Sequence, residues 1–147
     1  MVLDTEKYIG AVCRMLSGGA SSVPVPIRGD SMRPFLRGGD FVYLQALTQP
    51  LRPGDIALYQ RPEGKYVVHR VYKVNSDGSI LMLGDAELTP EPVSPDQLRA
   101  RAAFARRAGQ VVKPGEFVWW FYACPWRLLG KNRKYASRLR EKFRKKK

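Results

Sequence analysis

Two residues stand out for the chemistry they could share: Ser31, in the glycine- and proline-framed run RGDSMRPFLRGGD over residues 28–40, and His69, the only histidine in the chain. That run cannot be regular helix throughout, because Gly29 frees the backbone and Pro34 removes a donor, so it reads as an exposed turn that presents a hydroxyl and nearby backbone N–H groups. A serine hydroxyl is a weak nucleophile at neutral pH and needs a neighbouring base. His69 lies inside the strand-like segment VVHRV, where alternation places it with Val67 and Val71 on the inward, apolar side. Taken singly, each has a plain alternative, a turn serine and a core histidine. Together they spell the nucleophile and general base of a serine hydrolase.

The elements that must hold them read mainly as strands. Residues 5–16 carry Tyr8, Ile9, Val12, Met15 and Leu16 on one helical stripe, with Asp4 or Thr5 as cap and Gly18 past the end, which predicts a short amphipathic helix. A Gly/Ala/Ser linker over 18–22 leads into VPVPI at 23–27, whose two prolines restrict it to an edge strand or extended segment. Residues 41–47, 55–60, 66–74 and 79–83 are rich in β-branched and aromatic residues and are separated by turn clusters such as RPGD, PEG and NSDG. Strands this close, with no helix between them, predict antiparallel pairing. A proline-bounded loop follows over 84–92, and Val111 and Val112 read as a closing strand. The expected organisation is an N-terminal helix and linker over 1–22, a β domain over 23–126 and a basic tail over 127–147.

At this point the residues resemble a known family. Ser31-Met32-x-Pro34 with Gly39-Asp40, then Pro53-Gly54-Asp55-Ile56, then Val68-His69-Arg70-Val71, then Gly84-Asp85 with Pro90-Glu91-Pro92, follow the order and spacing of the boxes of the S24/S26 serine peptidases. The resemblance covers roughly residues 24–95 and is nearest to the histidine-using signal peptidases. It implies a mainly β, LexA- and signal peptidase-like fold, a compact antiparallel barrel-like sheet with short N-terminal and C-terminal helices. It also implies a serine endopeptidase of the signal peptidase type, acting on a protein or leader-peptide substrate. Ser31 matches the nucleophile, and His69 the place where LexA-like proteins carry a lysine. An imidazole titrates near neutral pH without the desolvation a lysine needs, so Lys65, four residues earlier, is not expected to be the base. For the acid that orients His69, Asp85 and Glu91 stand level. Asp40 and Asp55 match turn aspartates. Gly29 replaces a hydroxyl that many signal peptidases offer, which leaves an oxyanion to backbone N–H groups, that of Ser31 included. A LexA-like self-cleaving regulator ranks second, because the residues before Ser31 are few for a DNA-reading domain plus a cleavage site. A catalytically idle binding module ranks third.

Charge is concentrated at one end: residues 127–147 hold 11 of the 26 Lys and Arg residues and one of the 13 Asp and Glu residues, which is +10 of the net +13. Such a block suits an anionic partner. Because it follows the aromatic run FVWWFY at 117–122 and Trp126, it fits peripheral contact with an anionic membrane better than it fits nucleic acid. The other reading is that the aromatics close the core and the tail is solvated. Tyr135, Leu139 and Phe143 would share one face of a helix over 131–147. The longest uncharged apolar stretch, 117–126, has ten residues against the roughly 20 that cross a bilayer, so no spanning helix is expected. Asp4, Glu6, Lys7 and Arg14 break the order of a secretory signal, which predicts a peripheral membrane or cytoplasmic location. Cys13 and Cys124 lie far apart, with neither disulfide-framework nor zinc spacing, and no cofactor is called for.

Overall fold

The structure, a computed structural model, describes residues 5–129. Helix α1 (Thr5–Ser17) forms where Ile9, Val12 and Leu16 recur at three- and four-residue steps, and all three are buried. Each such side chain contributes about 1.5–3 kcal/mol on burial. Gly19, at φ +100°, stops the helix in a conformation that costs other residues more.

Eight strands follow: β1 (Val23–Pro26), β2 (Phe41–Gln45), β3 (Ile56–Gln60), β4 (Tyr66–Val74), β5 (Ile80–Leu83), β6 (Glu91–Val93), β7 (Leu98–Arg107) and β8 (Gln110–Val112). Every pairing is antiparallel, in the order β1-β2-β7-β3-β4-β5-β6, with β8 folded back on the far end of β7. The sheet splits the core. Ile56 and Leu58 of β3 join a large cluster with α1, β1 and the residues after Ser31, while Ala57 and Tyr59 join a smaller one with Val71, Ile80, Met82 and Val93.

The expected barrel-like closure does not occur. β1 and β6 end the strand order and do not pair with each other, so the sheet is open. Composition explains this: β1 is VPVP and β6 is EPV, and prolines that cannot donate leave both as natural edges. One strand lies where loop was expected, and another where no element was assigned. β6 pairs with β5 inside the proline-bounded segment, and β7, a ten-residue strand, runs between β2 and β3 near the middle of the sheet. The helix expected over 131–147 lies outside the described residues.

The aromatic run is part core and part surface. It forms α2 (Phe117–Phe121) and a π turn (Tyr122–Trp126). Trp119, Tyr122 and Trp126 are buried, whereas Phe117 is 71% and Trp120 50% exposed. The buried rings pack on Phe35, with Trp119 at 5.6 Å and Tyr122 at 5.2 Å between centroids, so they support the segment that carries Ser31. Among the described residues, no helix is long and apolar enough to cross a membrane.

Candidate active site

Ser31 sits half-buried on a turn anchored from below. Met32, Phe35 and Leu36, just beyond it, are fully buried. The Arg107 Nε donates to the Phe35 carbonyl at 2.7 Å, and the Arg70 and Arg107 guanidinium groups lie 5.1 and 6.0 Å from the Phe35 ring centre. The two ends of the loop meet where the Ile27 N–H donates to the Asp40 carbonyl at 2.8 Å. The Asp40 carboxylate accepts from the backbone N–H groups of Arg37 and Ala108. Asp55 closes its own turn through the Arg52 N–H and binds Arg101 at 2.8 Å.

Gly84 and Asp85 brace the serine from the other side. The Ala86 N–H donates to the Ser31 carbonyl at 2.9 Å, and a Cβ on Gly84 would lie 2.5 Å from that carbonyl oxygen, so only glycine lets the two turns approach. Asp85 is fully buried, and both its oxygens accept from Arg70, at 2.8 and 2.9 Å. Arg70 also donates to the Gly54 carbonyl at 2.8 Å, and the Trp126 Nε1 to the Asp85 carbonyl at 2.7 Å. The carboxylate is thus engaged by a guanidinium and ties the Ser31 turn to β4 and to the aromatic end.

His69 is buried on β4, opposite Ala57 of β3. Its Nδ1 lies 3.1 Å from the Tyr59 hydroxyl, which donates to the Glu91 carboxylate at 3.2 Å. Arg61 clasps Glu91 through three bonds of 2.7–3.2 Å. Glu91 therefore reaches the histidine through Tyr59 rather than directly. The other ring nitrogen, Nε2, lies 3.0 Å from Oε1 of Glu87. Ser31 and His69 open on one cavity of about 520 Å³, with Ile9, Val25, Ile27 and Val68 on its apolar wall. Lys65 also lines it but is exposed, without the burial a lysine base requires.

Burial pushes the His69 imidazolium below its usual range, against the opposing pull of Glu87, so the ring is held toward its neutral, proton-accepting form. The Arg61 hydrogen bonds hold Glu91 below the usual carboxylate range, and burial with Glu91 beside it raises Tyr59. These directions give an ionised carboxylate, a protonated phenol and a neutral imidazole in one hydrogen-bonded chain. Among the described residues there is no group of three or more His, Cys, Asp or Glu side chains placed to hold a metal.

The site thus joins Ser31 and His69 at one cavity, links Glu91 to His69 through an intermediary, and engages Asp85 with Arg70. Two groups that contact His69, Tyr59 and Glu87, are absent from the candidates read in the sequence. Tyr59 had a signal: the Arg61–Lys65 turn pairs Gln60 with Tyr66, which sets Tyr59 diagonally across from His69 on the same face. Glu87 had none, since it is one of several acids in a loop.

Comparison with curated proteins gives no match. The family model for Peptidase S24-like proteins matches residues 2–103, a span that takes in α1, Ser31, His69, Asp85, Glu87 and Glu91. The match overturns the expected placement among the histidine-using signal peptidases and moves the LexA-like alternative ahead of it. The Ser31, Asp55 and His69 boxes belong to the S24/S26 resemblance as a whole, so they do not separate its two branches. The chain belongs to the Peptidase S24-like family of serine peptidases.

Proposed function

We propose that this chain is a serine endopeptidase of the LexA-like, self-cleaving kind, in which Ser31 attacks a peptide bond of its own polypeptide and His69 serves in place of the lysine of LexA-like proteins. The observation that carries this reading is the single cavity onto which Ser31 and a buried His69 both open, within the S24-like match. Nε2 of His69 takes the Oγ proton as Oγ bonds to the scissile carbonyl carbon, and the imidazolium returns that proton to the leaving amine. Water then releases the acyl group from Ser31. In the acting state Tyr59 accepts from Nδ1–H and donates to Glu91, which places a carboxylate one hydroxyl away from the developing imidazolium. Among the described residues nothing accepts from the Ser31 backbone N–H, so it can meet the oxyanion.

Incubating the purified chain at two concentrations and following its intact mass tests the proposal. It predicts cleavage with a concentration-independent first-order rate, abolished in Ser31→Ala. An uncleaved wild-type chain that hydrolyses added peptides would overturn self-cleavage and leave the peptidase.

A second observation supports membrane contact. Exposed Phe117, Trp120 and Leu128 immediately precede or overlap the basic 127–147 segment, and aromatic and cationic groups together suit an anionic headgroup surface. The reading is of peripheral binding at an anionic bilayer through this end of the chain.

A further inference from the structure

The contact between Glu87 and His69 does not belong to a peptidase poised to act. A carboxylate has no proton to give, so at 3.0 Å from Nε2 it is accommodated only if Nε2 itself carries one. A protonated Nε2 cannot accept the Ser31 proton. The serine is therefore without its base while the contact lasts, and the hydrogen-bond partners of the two ring nitrogens are Tyr59 and Glu87.

The other side of the ring shows how the state can reverse. The Tyr59 hydroxyl stands almost equidistant from Nδ1, at 3.1 Å, and from Glu91 Oε1, at 3.2 Å, and it has one proton to give. Turned toward Nδ1, it supports the neutral ring with its proton on Nε2, facing Glu87. Turned toward Glu91, it accepts from Nδ1–H and leaves the Nε2 lone pair facing the cavity. The other charged groups around the ring are Arg61, paired with Glu91, and Asp85, paired with Arg70. Each of these is held in its own ion pair, so the choice falls to Tyr59 and Glu87.

Glu87 stands where substrate would enter. Its side chain is 42% exposed at the cavity wall, on the turn where its own N–H donates to the Gly84 carbonyl at 2.9 Å. Its carboxylate lies over Gly84, where a Cβ would come within 2.5 Å of Oε1. A peptide entering the cavity competes for the same space.

We infer that Glu87 is a latch: it holds His69 in the tautomer protonated at Nε2, and substrate displaces it, whereupon Tyr59 turns to Glu91 and frees Nε2 for Ser31. This deepens the Ser31–His69 reading and rests on it, but its test reads the histidine without requiring turnover. Because the chain has one histidine, ring-nitrogen NMR of histidine-labelled protein at neutral pH gives one pair of signals. The latch predicts protonated Nε2 in the wild type and, in Glu87→Ala, bare Nε2 with the proton on Nδ1. In Glu87→Ala/Tyr59→Phe the transfer to Nδ1 should be lost. Bare Nε2 in the wild type, or an Nε2 still protonated in Glu87→Ala, overturns the latch. A fluorophosphonate that phosphonylates serine supplies the second reading. Its rate at Ser31 should rise about tenfold in Glu87→Ala, the bias one charge-assisted hydrogen bond exerts. An unchanged or slower rate there overturns the latch alone, whereas absence of Ser31 labelling in every variant, with the expected tautomers, overturns the peptidase reading instead.

Discussion

Asp85→Asn should cost far more stability than activity-site mutations usually do, because it strips the charge from a pair that is sealed from water. Arg70 is 1% and Asp85 0% exposed by side chain, with bonds of 2.8 and 2.9 Å between them. Neutralising one partner leaves a guanidinium buried without its counter-charge, a change worth about 3–5 kcal/mol. That is a large part of a typical domain's roughly 5–15 kcal/mol. For a chain of this size it corresponds to a fall in Tm of about 10–15 °C. Urea unfolding followed by circular dichroism would measure it, with the midpoint shifting and the slope unchanged. Removing both charges in Arg70→Met/Asp85→Leu should cost less than Asp85→Asn alone, since no charge is then left unpaired. A loss below about 1 kcal/mol in Asp85→Asn, the scale of an exposed pair, would refute the argument.

Three further outcomes follow from the same geometry. Gly84→Ala should lower the rate of Ser31 acylation by at least about tenfold, because its Cβ would meet the Ser31 carbonyl oxygen at 2.5 Å and a backbone atom cannot swing aside; single-turnover kinetics would measure the loss. Activity should persist at neutral pH and fall only below the usual imidazole value of about 6.5, since burial lowers His69 in the folded chain. Over that window the unfolded chain binds the proton first, so stability also falls as pH drops from about 6.5 toward the folded value, which a pH series of urea midpoints would record. Replacing Phe117 and Trp120 by serine should weaken co-sedimentation with anionic vesicles, and raised salt should weaken it further; recovery equal to wild type would count against the membrane reading.

Much of the architecture could be read from residue order, and the failures have physical causes. The stripe of Ile9, Val12 and Leu16 marks α1, and the turns at 52–55, 61–65 and 75–79 set the strands around His69. β7 was hidden because LRARAAFARR is built from alanine and arginine, which carry little intrinsic strand signal. Its position comes from its neighbours: Ala100, Ala102 and Ala105 are small residues buried along a strand flanked by β2 and β3. Closure was misread because strand count and spacing do not reveal which edges meet, although Pro24, Pro26 and Pro92 mark the two that do not. At the candidate site, Ser31 and His69 stand out in the sequence because glycine framing and strand alternation are local signals, and the fold brings both to one cavity. The acids were not, since Asp85, Glu87 and Glu91 lie within seven residues of one loop and only the folded chain shows their partners: Arg70, His69, and Arg61 with Tyr59.

The central claim is that Ser31 is a nucleophile activated by His69. Its most direct test is the site and rate of covalent modification by a fluorophosphonate, read by peptide mass spectrometry on folded wild type, Ser31→Ala, His69→Ala and Lys65→Ala. The account predicts one adduct, on Ser31, absent from Ser31→Ala, slowed by about 10²-fold or more in His69→Ala and unaffected in Lys65→Ala. Labelling that survives His69→Ala at the wild-type rate, or that depends on Lys65 instead, would contradict it.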